Sequence, residues 1–289
     1  MKENRTGVPW KFVCFILVAA LIGAGILLAF RPDLRYLIKT VLLPTKASVA
    51  LVPVEEGELT LERVSLASLE ENPKVTWEQS MMLINQEHRL DQDFVADTGF
   101  YEDSEVILNR CMIQAYGDLS QEVRTRFEVP LLIKSAYRTM AEQAEEQVEE
   151  GENAAQTGAS EHQAGLALDV CVPGFGGRSF LKTGAGQFVN SNSWEYGFII
   201  RYPWYGQKET GIPYEPWHLR YVGKPHAEII MLNHMTLESY VEGLEIGTFY
   251  RCGDCFITRQ NPQSLQLPGT FSSAVVSTDN TGALVVTLR

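Results

Sequence analysis

The sequence lacks the excess of positive charge that is typical of nucleic-acid-binding proteins. Its 24 lysine and arginine residues are outnumbered by 36 aspartate and glutamate residues, and the formal net charge is −12. Proteins that neutralise nucleic-acid phosphates usually carry a basic stripe on one face, so we expect no nucleic-acid partner. The 289 residues, 45% of them hydrophobic, suffice for one substantial globular domain with appended segments.

Cysteine is also scarce, with five residues in the chain. Cys14 lies in an apolar run, whereas Cys252 and Cys255 are closely spaced. That spacing is compatible with half a zinc site, a redox pair or a local disulfide. A structural zinc ribbon needs a second Cys or His pair of matching spacing, and the sequence has none after Cys255. We therefore expect a disulfide or two free thiols.

A long hydrophobic run stands near the start of the chain. From Phe12 to Phe30 there are 19 residues without a charge, enough to cross a bilayer. A cleaved signal peptide is the alternative, but its apolar core usually spans about 7 to 15 residues, and Arg31-Pro-Asp33 is a poor cleavage site. We predict a retained transmembrane helix over residues 12–30 after a short tail of residues 1–11. Basic residues flank the run on both sides, so charge does not fix its orientation.

Composition divides the rest of the chain into three parts. Residues 31–76 carry scattered apolar residues, several glutamates and no sustained periodicity, which is typical of a juxtamembrane stalk. A folded domain is predicted for residues 77–245. Residues 246–289 contain two β-branched apolar segments on either side of Asp279-Asn-Thr-Gly282, and this pattern predicts a C-terminal β-hairpin.

Local patterns within the predicted domain indicate both helices and strands. One helix is expected over residues 105–115. Another begins after Thr139, where Glu142 completes a capping box, and ends before Gly151. Short strands are expected at residues 131–133, 166–172 and 217–222.

The first group of residues with catalytic potential is Ser160-Glu-His-Gln-Ala-Gly-Leu-Ala-Leu-Asp169. His162 and Asp169 are seven positions apart, so a single straight strand would place them on opposite faces. Gly165 removes this difficulty because it permits a sharp turn after His162. The strand that follows would then present Asp169 on a polar face while its neighbours are buried.

The second group is Glu215-Pro-Trp-His-Leu-Arg-Tyr221, in which Pro216 keeps Glu215 in a loop close to His218. If the two predicted strands are neighbours, His162, Asp169 and His218 converge. Two imidazoles and one carboxylate are the three-ligand set of a catalytic zinc with its fourth position open to water. Glu215 would be placed to remove a proton from that water.

Arg138 follows a predicted strand and could grip a substrate carboxylate or stabilise an oxyanion. Each of these residues also has a simpler interpretation, since a lone histidine is more often structural and Asp169 alone would suit a turn. His88, His226 and His234 have no comparable partners in the sequence, and we expect them to be surface or helix residues.

Four motifs occur in order between residues 77 and 240. They are Ser135-Ala-Tyr-Arg-Thr, the segment from Ser160 to Asp169, Arg201-Tyr-Pro, and Glu215-Pro-Trp-His-Leu-Arg-Tyr-Val-Gly223. In these motifs the chain resembles the VanY-type D-alanyl-D-alanine carboxypeptidases, close relatives of bacterial L,D-carboxypeptidases in the zinc D-peptidase superfamily that also includes hedgehog signalling domains. The resemblance implies an α+β fold in which helices pack on a small antiparallel sheet that carries the metal.

The resemblance also implies a cofactor and residue roles. One zinc ion per chain would be held by His162, Asp169 and His218, with Glu215 as the base. The terminal D-alanine of the substrate and its carboxylate would contact four residues, Arg138, Gln143, Ser160 and Tyr202.

The implied partner is a peptidoglycan stem peptide or precursor ending in D-Ala-D-Ala, and the implied location is the outer face of the bacterial cell membrane, with a single-pass anchor. We expect D,D-carboxypeptidase activity on pentapeptide stems, with a contribution to vancomycin resistance. L,D-carboxypeptidase action on tetrapeptide stems is the nearest alternative. A non-catalytic zinc domain that binds wall peptides is a weaker one, because such a domain has no need of Glu215.

Overall fold

The computed structural model describes residues 10–42, 48–151 and 154–289. Residues 1–9 of the predicted tail lie outside these ranges. The first helix, α1, runs over Trp10–Phe30, and by length and composition it is able to cross a membrane. A second helix, α2, follows at Pro32–Leu42, with proline at its first position, where the missing N–H costs no hydrogen bond.

The sheet next to the candidate site has four strands, all paired antiparallel. They are β6 (Leu132–Ser135), β7 (Ala167–Cys171), β8 (Phe198–Ile200) and β9 (His218–Tyr221), in the order β6-β7-β9-β8. Helices accompany this sheet, and the mixed α+β class expected from the sequence is confirmed.

Six helices of residues 113–243 surround or follow this sheet. They are α4 (Ile113–Phe127), α5 (Met140–Glu150), α6 (Gly184–Asn192), α7 (Gln207–Thr210), α8 (His226–Leu232) and α9 (Leu237–Gly243). Apolar side chains of α4 and α6, such as Leu119 and Phe188, are buried in one cluster with Leu168 and Leu219 of the sheet. This packing leaves the opposite face of β7 and β9 for polar residues.

The start of α5 agrees with the prediction. Thr139 and Glu142 form a reciprocal capping box, and Gly151 caps the other end. The helix predicted over residues 105–115 is wrong in its first half, because Ile107–Asn109 forms strand β5, which pairs with β4 at Thr98–Phe100. Asn109 then accepts a hydrogen bond from the N–H of Cys111 and begins the helical segment there.

The C-terminal region forms a larger sheet than the predicted hairpin. Strands β13 (Ala274–Thr278) and β14 (Leu284–Leu288) do pair antiparallel on either side of the expected turn. They belong, however, to a six-stranded sheet with β10 (Phe249–Cys252) and β11 (Cys255–Gln260). Its remaining strands are β1 (Val52–Pro53) and β3 (Val75–Glu78), from the region predicted to be a stalk.

The region of residues 31–76 therefore differs from a simple stalk. Besides β1 and β3, it contains β2 (Leu61–Arg63), which pairs with β12 (Gln266–Pro268), and the short helix α3 (Leu66–Glu70). These elements are too short to produce a detectable hydrophobic period. The three strands are stabilised by pairing with strands about 200 residues away in sequence.

His226 is not at the surface. It is buried at the start of α8, with Nδ1 2.7 Å from Tyr240 Oη and Nε2 2.8 Å from Thr287 Oγ1 of β14. This histidine therefore joins the helical region to the six-stranded sheet. His88 is half-buried and His234 is exposed.

Cys252 and Cys255 are free thiols. Both are buried, and they face each other at the turn between β10 and β11. Of the two expected states, a disulfide or two thiols, the structure has the second.

Candidate active site

A sharp turn at Gly165 brings His162 next to β7. His162 lies in a short 3-10 helix, Glu161–Ala164, and Gly165 follows it with a φ of +67°. A Cβ atom at position 165 would lie 2.9 Å from the backbone nitrogen of Asn109. Glycine is therefore required there for both its conformation and its size.

The pairing of β7 with β9 places Asp169 directly opposite His218. The two strands are therefore neighbours, which is the condition on which the convergence of His162, Asp169 and His218 depends. His218 Nδ1 lies 3.1 Å from Asp169 Oδ1, and His162 Nε2 lies 3.6 Å from Asp169 Oδ2. One nitrogen or oxygen from each of these three residues lies within 4.8 Å of the others, a spacing that could hold a metal ion.

The hydrogen bonds around the three side chains suit metal ligation. His162 Nδ1 is 2.7 Å from the carbonyl oxygen of Ala136, so a proton on Nδ1 leaves Nε2 with its lone pair directed at Asp169. The buried Asp169 Oδ1 makes no hydrogen bond of good geometry within the described part of the chain. An unsatisfied buried carboxylate oxygen between two imidazoles fits a cation such as zinc.

The electrostatics of the cluster also favour a bound cation. Burial would lower the pKa of His218, but Asp169 and Glu161 outweigh this effect and raise it to about 9. Burial would raise the pKa of Asp169, but the close contact with His218 and the charge of that residue lower it to about 2. Burial lowers the pKa of His162 to about 4. The site therefore holds an ionised carboxylate and a neutral imidazole, His162, whereas His218 carries a proton that a bound cation would displace.

A buried ion network supports the cluster, and sequence reasoning assigned it no role. Glu161 Oε1 accepts hydrogen bonds from Arg201 Nε at 2.7 Å and from Arg220 Nη1 at 2.6 Å. Arg201 also donates two hydrogen bonds to the carboxylate of Glu238. Glu161 Oε2 lies 3.8 Å from His218 Nε2. The sequence shows only that each arginine directly follows an apolar residue, Ile200 or Leu219, and it indicates no partner for either.

Glu215 lies in the loop before β9, as predicted, and is half-buried. Its Oε2 is 3.7 Å from His218 Nδ1. The N–H of Glu215 donates to the carbonyl oxygen of Tyr202 at 3.0 Å, and its carbonyl oxygen accepts from the N–H of His218 at 3.1 Å. These backbone hydrogen bonds hold the loop that carries Glu215 beside His162, Asp169 and His218.

Arg138 reaches the site from the segment after β6. Its backbone N–H donates to the carbonyl oxygen of His162 at 3.1 Å, and its Nη1 lies 2.9 Å from Glu146 Oε1 of α5. Its buried Nε makes no hydrogen bond to any residue that the structure describes. The guanidinium is thus oriented by Glu146 and retains a donor for a ligand.

The remaining predicted residues line the same cavity, which has a volume of about 680 Å³. Gln143 is buried, and its Nε2 donates to the carbonyl oxygen of Ala155 at 2.8 Å. The ring of Tyr202 lies 4.9 Å from that of His218. Ser160 is buried just before the 3-10 helix. The structure thus brings all eight sequence-predicted site residues to one cavity, and Arg178 lines it as well.

Comparison with known protein families gives a consistent result. Residues 106–224 match the sequence model of the family described as VanY, D-alanyl-D-alanine carboxypeptidase. A D-alanyl-D-alanine carboxypeptidase of Enterococcus faecium is 31% identical over 229 residues, which cover 66% of this chain and 74% of that protein.

Two solved structures resemble the fold. One is a vancomycin resistance D,D-pentapeptidase VanY in complex with Zn(II), with 28% identity, a TM-score of 0.50, and coverage of 56% of this chain and 98% of the other. The other is the LD-carboxypeptidase LdcB, with 28% identity, a TM-score of 0.51, and coverage of 70% and 98%. The chain therefore belongs to the VanY-type D-alanyl-D-alanine carboxypeptidases, a family of metallo-carboxypeptidases.

Proposed function

We propose that this protein is a zinc-dependent D,D-carboxypeptidase that removes the C-terminal D-alanine from peptidoglycan pentapeptide stems. The convergence of His162, Asp169 and His218 beside Glu215 carries the proposal. We assign the three converging residues as ligands of one zinc ion per chain. A bound zinc ion lowers the pKa of water and polarises the scissile carbonyl group.

Glu215 is the general base in this proposal. Its carboxylate lies at the same cluster as the proposed ligands, with Oε2 3.7 Å from His218 Nδ1, and can accept a proton from the attacking water. The same carboxyl group then holds a proton that it can return to the departing D-alanine nitrogen. Two hydrogen bonds hold the backbone of Glu215 in place, one donated to Tyr202 and one accepted from His218. The proton transfer therefore requires little rearrangement.

Arg138 selects the substrate terminus in this proposal. A carboxypeptidase must recognise a free carboxylate, and a guanidinium binds one through paired charge-assisted hydrogen bonds. Glu146 orients the group from one side. Gln143, Ser160 and Tyr202 line the cavity around it, and we assign them to contacts with the terminal D-alanine.

The proposed location is the bacterial cell membrane, with one span and an extracytoplasmic catalytic domain. The apolar α1 supports an anchor at residues 12–30 after a cytoplasmic tail of residues 1–11. We place the catalytic domain at residues 77–245, between the juxtamembrane region 31–76 and the extension 246–289, and these two flanking regions share the six-stranded sheet. A cell-wall peptide is accessible on the outer side of the membrane, and trimming it there would remove the D-Ala-D-Ala terminus that vancomycin-like drugs bind.

L,D-carboxypeptidase action on tetrapeptide stems is a second candidate. The fold similarity to the LD-carboxypeptidase LdcB supports it. Both activities would use the same metal ligands and base, so they differ in the residues that contact the penultimate amino acid of the stem.

Release of D-alanine by the full-length protein in detergent tests these proposals. Pentapeptide and tetrapeptide stems are compared with zinc, with chelator, and with the Glu215→Gln variant, whose zinc content is measured separately. We expect chelator-sensitive release from the pentapeptide that Glu215→Gln abolishes while zinc stays bound. Release from the tetrapeptide alone would establish the L,D activity instead, and no release despite bound zinc would favour a binding domain.

Expression of the wild type and of Glu215→Gln in a vancomycin-susceptible host, with comparison of the two, tests the role in resistance.

A further inference from the structure

A hydrogen bond connects the helix that follows α1 to the body of the protein. Tyr36 of α2 donates from its hydroxyl group to Asn190 Oδ1 of α6 at 2.9 Å. A second contact lies near the start of α2, where Gln187 Nε2 is 3.3 Å from the carbonyl oxygen of Pro32. These contacts fix α2 against α6.

Asn190 also contacts the loop that carries Glu215. Tyr214 donates from its hydroxyl group to Asn190 Oδ1 at 3.0 Å, and Asn190 Nδ2 lies 3.4 Å from the carbonyl oxygen of Pro216. One amide side chain, only 8% exposed, thus bonds to the residues on both sides of Glu215. Its oxygen accepts from Tyr36 and Tyr214 with its two lone pairs.

Tyr214 lines two cavities. One is the cavity that contains Glu215, and the other, of about 490 Å³, lies between α2 and the domain and is lined by Tyr36, Asn190 and Tyr205, among others. A displacement of α2 that breaks the hydrogen bond from Tyr36 to Asn190 would therefore also disturb the hydrogen bond from Tyr214 to Asn190.

We propose that Tyr36 and Asn190 are positioning residues through which α2 holds the loop 214–216, and so the carboxylate of Glu215, in its place beside His218. The inference rests on the proposed role of Glu215 as the base. The helix that follows the apolar span is then a part of the active-site scaffold, and its seating on α6 sets the rate of the chemical step.

Hydrogen exchange in the full-length protein tests the coupling without reference to activity. The backbone amides of Glu215 and His218, both hydrogen-bonded in the loop, are followed in Tyr36→Phe, which removes one hydroxyl group. We expect them to exchange at least about five times faster, because the hydroxyl group also lies 2.7 Å from Ser191 Oγ and its removal costs one hydrogen bond or more. The matched control is Tyr205→Phe, which removes a hydroxyl group that faces the same cavity but donates to Met235. Unchanged exchange in Tyr36→Phe, or an equal change in Tyr205→Phe, would overturn the inference.

Kinetics provide the second measurement. In Tyr36→Phe we expect kcat to fall about three- to tenfold, KM to stay within about twofold and the zinc content to be unchanged, because the base is displaced while the ligands and Arg138 are not. Tyr36→Phe combined with Tyr214→Phe should lose less than the product of the single effects, since both hydroxyl groups act through Asn190. If the losses of kcat multiplied fully, the two hydroxyl groups would act independently, and this would contradict a common effect through Asn190. A wild-type protein that turned over no stem peptide would refute the proposed function, and the exchange experiment would still decide the coupling.

Discussion

Glu161 Oε2 lies 3.8 Å from His218 Nε2, and through this contact the buried ion network reaches the proposed zinc ligands. The carboxylate is fully buried between Arg201 and Arg220. These two arginines hold the pKa of Glu161 far below its ordinary value although burial alone would raise it. A permanently ionised group behind His218 fixes the orientation of the ring and leaves Nδ1 to face Asp169.

Glu161→Gln should therefore weaken zinc binding. We expect about ten- to hundredfold lower zinc affinity, the usual cost of losing a group that orients a metal ligand, measured by competition with a chelator. The variant should also unfold more easily by about 3 kcal/mol, because two buried guanidinium groups lose their shared carboxylate.

Glu238→Gln is the matched control for this effect. It alters the same network at Arg201, through the two hydrogen bonds from that arginine, and leaves the carboxylate of Glu161 beside His218 in place. We expect lower stability with zinc affinity close to that of the wild type. Equal losses of zinc affinity in both variants would show that the network acts only through general stability.

Arg138→Gln should reduce kcat/KM for a pentapeptide about 10- to 100-fold, since a charge-assisted contact to the substrate carboxylate is lost. Steady-state release of D-alanine gives the value. The decisive control is a pentapeptide with an amidated C-terminus, which both proteins should hydrolyse equally poorly. A similar drop with the amide would assign Arg138 to stabilisation of the oxyanion instead.

Gly165→Ala should lower the free energy of unfolding by more than the cost of placing alanine in a left-handed backbone conformation. The substitution combines a φ of +67° with a Cβ atom 2.9 Å from the backbone of Asn109, so we expect a loss of about 3 kcal/mol in urea unfolding. Gly174→Ala is the matched control, with a φ of +79° but open space around the Cβ position. Its loss should be about 1 kcal/mol.

His226 should make stability depend on pH. Burial lowers its pKa from 6.5 to about 4. Between these values the unfolded chain binds more protons than the folded protein, so the stabilisation is complete above about pH 6.5 and falls as the pH drops toward 4. The difference in unfolding free energy between the wild type and His226→Gln, measured by denaturant titration, should shrink by about 3 kcal/mol over this range. A constant difference would mean that the pKa of His226 is the same in the folded and unfolded states, and that burial does not lower it.

The two turns and the strand face that carry His162, Asp169 and His218 were predictable because their determinants are local, whereas the adjacency of β7 and β9 entered the prediction only as a condition. A glycine after His162 and a proline before His218 fix two turns, and the strand periodicity assigns Asp169 to the polar face. The start of α5 was predictable for the same reason, since both halves of its capping box lie within four residues.

The six-stranded sheet and the network around Glu161 were not predictable in this way. Strands of two to four residues such as β1 and β3 carry little periodic signal, and their partners lie about 200 positions away. Likewise, nothing near Glu161 in the sequence indicates that Arg201 and Arg220 pair with it. His226 lies in helix α8, one of its two expected settings, but its burial was not predictable because its partners, Tyr240 and Thr287, become neighbours only after α8 packs against the sheet.

The position of β14 has a consequence for the timing of folding. This strand lies between β11 and β13, and β13 in turn carries β3 at the edge of the sheet. The sheet can therefore close only after residue 288 has left the ribosome, whereas the four strands beside the ligand cluster are complete by residue 221. Because contacts of such long sequence separation form slowly, β1 and β3 stay without their partners until β10 and β13 have been made, and until then the growing chain carries two unpaired strands that can associate with other chains.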